Sequence, residues 1–212
     1  MPPVVVAAKR CAIVALAIGY ILLAHFTNAT PGNENLGAFI ALAPILLAFF
    51  SMAWRSPHRR VGLPLVVLGC IGLWAAWGVI APHYSRLYWL EHAGTQTVLC
   101  LVFARTLGRA REPMCTTFAR MVHGVLTPVM LRYTRQVTIA WVGFFAAMAV
   151  TSTTLFVVAP LETWSIFANF FTAPLICSMF IAEYAVRRML HPTMDHAPIL
   201  AAVKAFWTAP TR

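Results

Sequence analysis

The stretch VTIAWVGFFAAMAVTSTTLFVVA, residues 137–159, contains no charged side chain from one end to the other. A helix needs about 20 mostly apolar residues to cross the hydrocarbon core of a bilayer, which is roughly 30 Å thick. Apolar and polar residues do not alternate along this stretch, as they would in a strand of a membrane barrel. The stretch therefore predicts a transmembrane helix.

Five further apolar runs flank this stretch and extend the prediction to the whole chain. Of the 212 residues, 60% are hydrophobic and only 10% are charged, whereas soluble domains carry about 25% charged residues. We predict an all-α polytopic membrane protein that forms one membrane domain over residues 1–212. Its six transmembrane helices are residues 11–27, 36–54, 62–81, 87–105, 137–159 and 164–186. The fourth is the least apolar, and we include it because the charge pattern requires it.

The distribution of positive charge predicts how the six helices are oriented. Every Lys and Arg except Arg86 falls in the N-terminal segment, in the loops after the second and fourth helices, or in the tail, residues 187–212. These segments lie on one side of a six-helix arrangement, and the positive-inside rule places that side in the cytoplasm. We therefore expect a bacterial inner-membrane protein with both termini inside. The net charge of +10 then reflects orientation, and no nucleic-acid partner is expected.

The connection between the fourth and fifth helices predicts a cytoplasmic helix that lies in the membrane interface, over residues 113–132. Its apolar residues recur at helical spacing, and Pro128 should kink or split the helix. Around it lies a basic cytoplasmic surface. Its members are Arg105, Arg109, Arg111, Arg120, Arg132 and Arg135. Two interpretations stay open: the surface anchors the chain on anionic membrane lipids, or it docks an acidic soluble partner, such as an acyl carrier protein, by charge steering.

A polar patch is predicted inside the membrane on the fourth helix. Its residues share one side of that helix, with two more from the first and sixth helices placed to meet them. The members are Tyr88, Glu91, His92, Thr95, Gln96, His25 and Asn169. Glu91 and His92 are candidate catalytic residues, as a general base and the group that orients it. The alternative is a hydrogen-bonded hub that joins helices. The hydroxyls of residues 151–154 in the fifth helix can bond their own backbone carbonyls.

Other motifs limit the chemistry that the sequence predicts. Glu183 and Arg187 are spaced as an ion pair at the inner end of the sixth helix. The five cysteines are isolated from one another, without a CxxC pair, which argues against a disulfide framework or a zinc site. There is no phosphate-binding GxxxxGK[ST] loop and no HExxH motif. We therefore predict no cofactor and no metal.

Several short motifs in the second half resemble a family of small predicted bacterial membrane proteins. They are His92-Ala93-Gly94, Arg105-Thr106-Leu107, Tyr133 to Thr138 with Trp141, Phe144 and Phe145, then Trp164-Ser165, Phe167-Ala168-Asn169, Pro174, Phe180 to Glu183, and Arg187-Arg188. The resemblance covers roughly residues 87–206, and the first three helices match only in hydropathy. Members of this family are encoded beside aryl-polyene and xanthomonadin-type pigment genes. Some carry the label ketosynthase, but this sequence has no Cys–His–His arrangement.

The resemblance implies a pathway in which acyl carrier proteins and other enzymes make a lipid-linked polyene. It does not imply a reaction. We therefore expect an accessory or scaffold protein of polyene biosynthesis or export. One alternative is an intramembrane acyl or lipid transferase that uses Glu91 and His92. Another is a carrier or pore for small solutes.

Overall fold

The computed structural model describes residues 3–30, 32–108 and 110–190. Within these residues the chain is almost entirely helical and contains no β-strand. The prediction of an all-α protein is therefore confirmed. The predicted tail, residues 187–212, lies outside the described residues from position 191 onward.

The helices follow one another with short connections. In chain order they are α1 (Pro3–Ala29), α2 (Glu34–Arg55), α3 (Arg59–Ala75), α4 (Trp77–Ile80), a 3-10 turn (Ala81–His83), α5 (Tyr84–Thr106), α6 (Met114–His123), α7 (Pro128–Val158), α8 (Leu161–Ile166), a π-helical turn (Phe167–Phe171) and α9 (Thr172–Leu190). The break between α6 and α7 falls where Pro128 was expected to split the predicted interfacial helix. Gly124 ends α6 with a φ of 71°, a conformation that glycine adopts without strain.

Three helical segments of the described chain are long and apolar enough to cross a membrane. They are Glu34–Arg55, Pro128–Val158 and Leu161–Met189. A fourth is added if Arg59–Ala75 and Trp77–Thr106, which meet at a bend of 62°, form one span. The apolar part of α1, Ala15–Ala29, is shorter. These helices support a membrane location, whereas six spans, cytoplasmic termini and an inner membrane stay predictions.

The junction between α3 and α5 differs from the expected loop. The sequence placed a short outer connection at residues 82–86, between the third and fourth predicted spans. In the structure these residues are helical, because Pro82 occupies the first turn of the 3-10 segment, where its missing N–H costs nothing. The change of direction is 62°, much less than the reversal in an antiparallel hairpin.

Contacts between residues divide the chain into two compact units. The first comprises residues 1–92 and 152–173, and the second comprises residues 93–151 and 174–212. The core of the first unit combines small residues of α1 and α2, such as Ala24 and Ala38, with Tyr84, Tyr88 and Trp164. Small side chains let helix backbones approach closely, which is common in membrane proteins.

The surface of the first unit is strongly apolar along α3. No described residue of that helix is buried, and the side chains of Leu65, Leu68 and Trp74 are 60%, 64% and 80% exposed. In water a continuous apolar surface of this kind would promote aggregation. In a bilayer the same surface is solvated by lipid chains, which agrees with a membrane location.

The second unit has an aromatic core and a hydroxyl-lined contact. Trp141 and Phe145 of α7 are buried. Their rings lie 6.4 Å and 5.4 Å from the ring of Phe103, centroid to centroid. In the same unit, α6 meets α7 through Thr116, whose hydroxyl lies 2.7 Å from that of Thr134. The hydroxyl contact fixes the position of α6, which carries part of the predicted basic surface.

Candidate functional site

His92 is the centre of a buried polar cluster in the first unit. Its Nδ1 lies 2.9 Å from the hydroxyl oxygen of Ser152 at the end of α7. Its Nε2 lies 2.9 Å from the hydroxyl oxygen of Thr172 at the start of α9. Both ring nitrogens are therefore engaged, and the ring connects α5 to two later helices.

Trp164 completes this cluster. Its indole Nε1–H donates to the Ser152 oxygen across 3.1 Å. The Thr172 hydroxyl donates to the carbonyl of Phe167 at 3.4 Å, so the Thr172 oxygen accepts from Nε2 of His92. In the imidazole tautomer that carries its hydrogen on Nε2, Nδ1 accepts from the Ser152 hydroxyl, and each of these hydrogens has an acceptor within the cluster.

The π-helical turn Phe167–Phe171 explains how Trp164 and Thr172 reach the same imidazole. A π turn inserts one extra residue into a helix and changes the direction in which the following side chains point. The Phe167 ring packs against the His92 ring, with centroids 5.9 Å apart and an angle of 78° between the planes. Such turns occur frequently at functional sites, so the turn supports the choice of the His92 cluster as a candidate site.

A second histidine of the first unit, His25, contacts α8, the helix that carries Trp164. Nδ1 of His25 lies 3.1 Å from the hydroxyl of Ser165. The Asn169 side-chain amide donates to that hydroxyl and to the Ser165 carbonyl, at 3.0 Å in each case. The structure therefore brings His25 and Asn169 together through Ser165, a residue that the sequence analysis named in the motif Trp164-Ser165 but did not place in the polar patch.

The remaining residues of the predicted patch do not form one surface. Tyr88 and Gln96 are buried, Glu91 is half-buried, and Thr95 is exposed. Among the described residues, Glu91 has no ion pair with a cation. Adjacent residues of a helix point about 100° apart, and both nitrogens of His92 are already bonded to hydroxyls. Glu91 and His92 are therefore not arranged as a base with its orienting partner.

No protein-family model matches this chain, and no curated protein or solved structure is detectably similar to it.

The chemistry open to the His92 cluster follows from its burial. Ser152 has no exposed surface, and its oxygen already accepts a hydrogen bond from Trp164. A serine nucleophile needs access to substrate and a base that removes its proton, and access is missing here. In the described ranges, no three His, Cys, Asp or Glu side chains are grouped as for a metal ion. The geometry is that of a hub that joins helices.

The second candidate site is the predicted basic surface in the second unit. Arg105, Arg111, Arg132 and Arg135 are all exposed, and we call these four the exposed arginine group. Arg109 lies outside the described residues. The fifth described member of the predicted surface, Arg120, is instead paired with Glu112 at 2.6 Å.

The carboxylates in the described part of the second unit do not pair with the exposed arginine group. Within its described part the unit contains two carboxylates, Glu112 and Glu183. Glu112 accepts hydrogen bonds from Arg120. Glu183 lies 3.5 Å from Arg187, as the spacing predicted, and also accepts a hydrogen bond from the Tyr133 hydroxyl at 3.1 Å. The positive charge of the exposed arginine group is therefore uncompensated within the described part of this unit.

Two backbone-to-hydroxyl contacts and one contact between two hydroxyls hold the segments that carry these arginines. The Met114 N–H donates to the Thr106 hydroxyl oxygen at 3.0 Å, and the Cys115 N–H donates to that of Thr138 at 3.2 Å. Together with the Thr116 contact, they attach the first turn of α6 to both α5 and α7. Free N–H groups in the first turn of a helix need such acceptors. The sequence signal was only the threonine content of these segments, which does not identify partners.

Proposed function

We propose that this chain is an accessory membrane protein that holds an acidic soluble partner at the membrane through the exposed arginine group. The partner class that the family resemblance implies is an acyl carrier protein of a lipid-linked polyene pathway. The observation that carries the proposal is the uncompensated charge of Arg105, Arg111, Arg132 and Arg135 on segments held together by hydroxyl contacts. Complementary charge accelerates encounter and selects the partner.

The geometry of the His92 cluster supports a role without catalysis. Both ring nitrogens of His92 are bonded to hydroxyls, and Ser152 is buried. Glu91 forms no hydrogen bond with the imidazole. An enzyme that acts on an acyl chain would need at least one of these groups free to meet its substrate. An accessory protein needs only that the cluster keep its helices in place.

The first experiment tests the pathway. The gene is deleted, and lipid extracts are analysed for the loss of a polyene or for a stalled precursor. Complementation with the wild-type chain should restore the product. An unchanged lipid profile in the deletion strain would remove the pathway from the proposal.

The second experiment tests the site. A variant with Arg111→Gln, Arg132→Gln and Arg135→Gln should lose most of the product and most of its binding to purified acyl carrier protein. Binding by the wild type should weaken as salt rises, because salt screens exposed charges. The control variant Arg59→Gln with Arg60→Gln removes exposed cations from another connection and should retain both properties.

Variants of Glu91 and His92 test the alternative, an intramembrane transferase. If Glu91→Gln or His92→Gln abolishes the product while the protein still accumulates, and the arginine variant does not, the intramembrane transferase replaces the accessory role. The comparison is informative because both sets of variants are measured in the same strain and against the same product.

A further inference from the structure

A groove in the first unit lies where α4 turns into α5. It is lined by Val79, Ile80, His83, Arg86 and Leu87, is open on one side, and has a volume of about 360 Å³. Ligand sites in proteins range from about 300 to 1,000 Å³, so this volume lies near the lower end of that range. The groove shares no residue with the His92 cluster or with the exposed arginine group.

The walls of the groove are held in place from outside it. The Trp77 indole at the start of α4 donates to the Asn35 side-chain oxygen at 2.8 Å, and its ring packs on Phe39 with centroids 4.5 Å apart. The Tyr84 hydroxyl at the start of α5 donates to the Thr27 carbonyl at 2.8 Å. Both ends of the groove are therefore attached to α1 and α2, which gives it a defined shape.

The polar lining of the groove is basic. Arg86 is exposed and forms no ion pair with a described carboxylate. Nδ1 of His83 lies 3.0 Å from the Val79 carbonyl. Since a carbonyl only accepts, Nδ1 of His83 carries the hydrogen and donates it to that carbonyl. The cation that lines the groove is therefore Arg86.

The apolar lining of the groove is open to the surroundings of the helices. Val79 is 72% exposed, and Leu90, one turn beyond Leu87 on α5, is 60% exposed. Around a membrane protein such surfaces meet acyl chains. An anion that reaches Arg86 together with an apolar chain is a lipid headgroup, and guanidinium binds phosphate through two parallel hydrogen bonds.

We propose that this groove binds an anionic phospholipid, with the phosphate at Arg86 and an acyl chain along Val79, Ile80 and Leu87. The site does not depend on the proposed docking function, since it uses other residues in the other unit. Arg86 is also the cation that the sequence placed apart from all the others. A specific lipid contact gives that isolated charge a role.

The test measures lipid retention by the full chain purified in detergent. The protein is incubated with equal amounts of phosphatidylglycerol and phosphatidylcholine, and bound lipid is counted by native mass spectrometry. The wild type should retain phosphatidylglycerol preferentially. Arg86→Gln should reduce that retention about tenfold, the effect of losing a charge-assisted hydrogen bond. Arg60→Gln removes an equally exposed cation and should change little.

Three outcomes would overturn the proposal. They are a wild type without preference between the two lipids, equal losses in both variants, and displacement of the lipid by excess inorganic phosphate, which would mark a site for a soluble anion. Because Arg86 is exposed, its variant should unfold at the wild-type temperature, so a loss of retention reports on binding. The docking function is measured separately with acyl carrier protein, and its failure leaves this result intact.

Discussion

The imidazole of His92 and the hydroxyl of Ser152, 60 positions apart in the chain, lie 2.9 Å from each other. The Ser152 oxygen also accepts the indole hydrogen of Trp164, so one small side chain forms hydrogen bonds with two larger ones. In a bilayer, helices gain little from burying apolar surface against one another, and buried hydrogen bonds of this kind help to determine how they pack.

Ser152→Ala should therefore destabilise the protein. The substitution removes the partner of His92 Nδ1 and the acceptor of the Trp164 indole, at a cost of about 1–2 kcal/mol. Thermal unfolding in detergent should show a lower midpoint. Thr151→Ala, at the exposed neighbour of Ser152 on the same helix, is the matched control and should leave the midpoint nearly unchanged. Equal effects of the two substitutions would argue against the hub.

Gly37→Ala should be poorly tolerated because α2 lies against the Tyr84 ring. A methyl group at Gly37 would come within 2.6 Å of Cε2 of that ring and closer still to Cδ2. The ring cannot move easily, because its hydroxyl is bonded to the Thr27 carbonyl. We expect a loss of about 1–3 kcal/mol in the free energy of unfolding.

The control for this prediction is another glycine of a helix interior. A methyl group at Gly69 meets nothing within 4 Å, so Gly69→Ala should be neutral or should stabilise α3 by up to about 1 kcal/mol, since alanine favours helix more than glycine. Urea or thermal unfolding of both variants checks the pair. A Gly37 variant as stable as the wild type would show that α2 and Tyr84 are not packed as described.

The bend between α3 and α5 carries a prediction about topology. Arg59 and Arg60 lie at one end of the bent pair and Arg105 at the other. Since cytoplasmic segments collect positive charge, both ends should lie inside. Cysteines introduced as His58→Cys and Ala110→Cys should both resist an impermeant maleimide on intact cells and react after permeabilisation. Labelling of only one of them would instead favour a single broken span.

Cys115 should be a slow nucleophile. Burial raises the pKa of its thiol above the ordinary value, and the negative charge of Glu183 adds to this effect, while a hydrogen bond with Thr138 opposes it. At a given pH a smaller fraction is thiolate, so the rate of alkylation should rise at higher pH than for a free thiol. Site-resolved mass spectrometry compares it with Ala110→Cys in the same connection. Matching pH profiles would contradict the partial burial of Cys115.

Hydropathy predicted α2, α7 and the run from α8 to α9, because a long apolar segment has one stable environment. Hydropathy did not predict the junction of α3 and α5, since the number of apolar residues in a helix carries no information on the angle to the next helix. Charge spacing predicted the ion pair of Glu183 and Arg187 within one helix. The pair of Arg120 and Glu112 was missed because its partners are eight positions apart across the start of α6.

The candidate site was predicted only in part, for a related reason. His92 attracted attention because an ionisable residue inside a span is rare. Its partners Ser152 and Thr172 could not be inferred, since they are 60 and 80 positions away and hydroxyls are common in membrane helices. Ser165, which joins His25 to Asn169, was hidden for the same reason. Long-range pairing depends on how helices rotate against each other, and periodicity within one helix does not determine it.

The extra residue in the turn Phe167–Phe171 sets the angular phase between Trp164 and Thr172. In a regular α-helix, two residues eight positions apart point about 80° away from each other. The wide turn absorbs one residue, so Trp164 and Thr172 lie on the same side of the helix, as residues seven positions apart do in a regular helix. A substitution that returned this segment to the α-helical period without changing its length would turn Thr172 away from the imidazole while Trp164 stayed where it is.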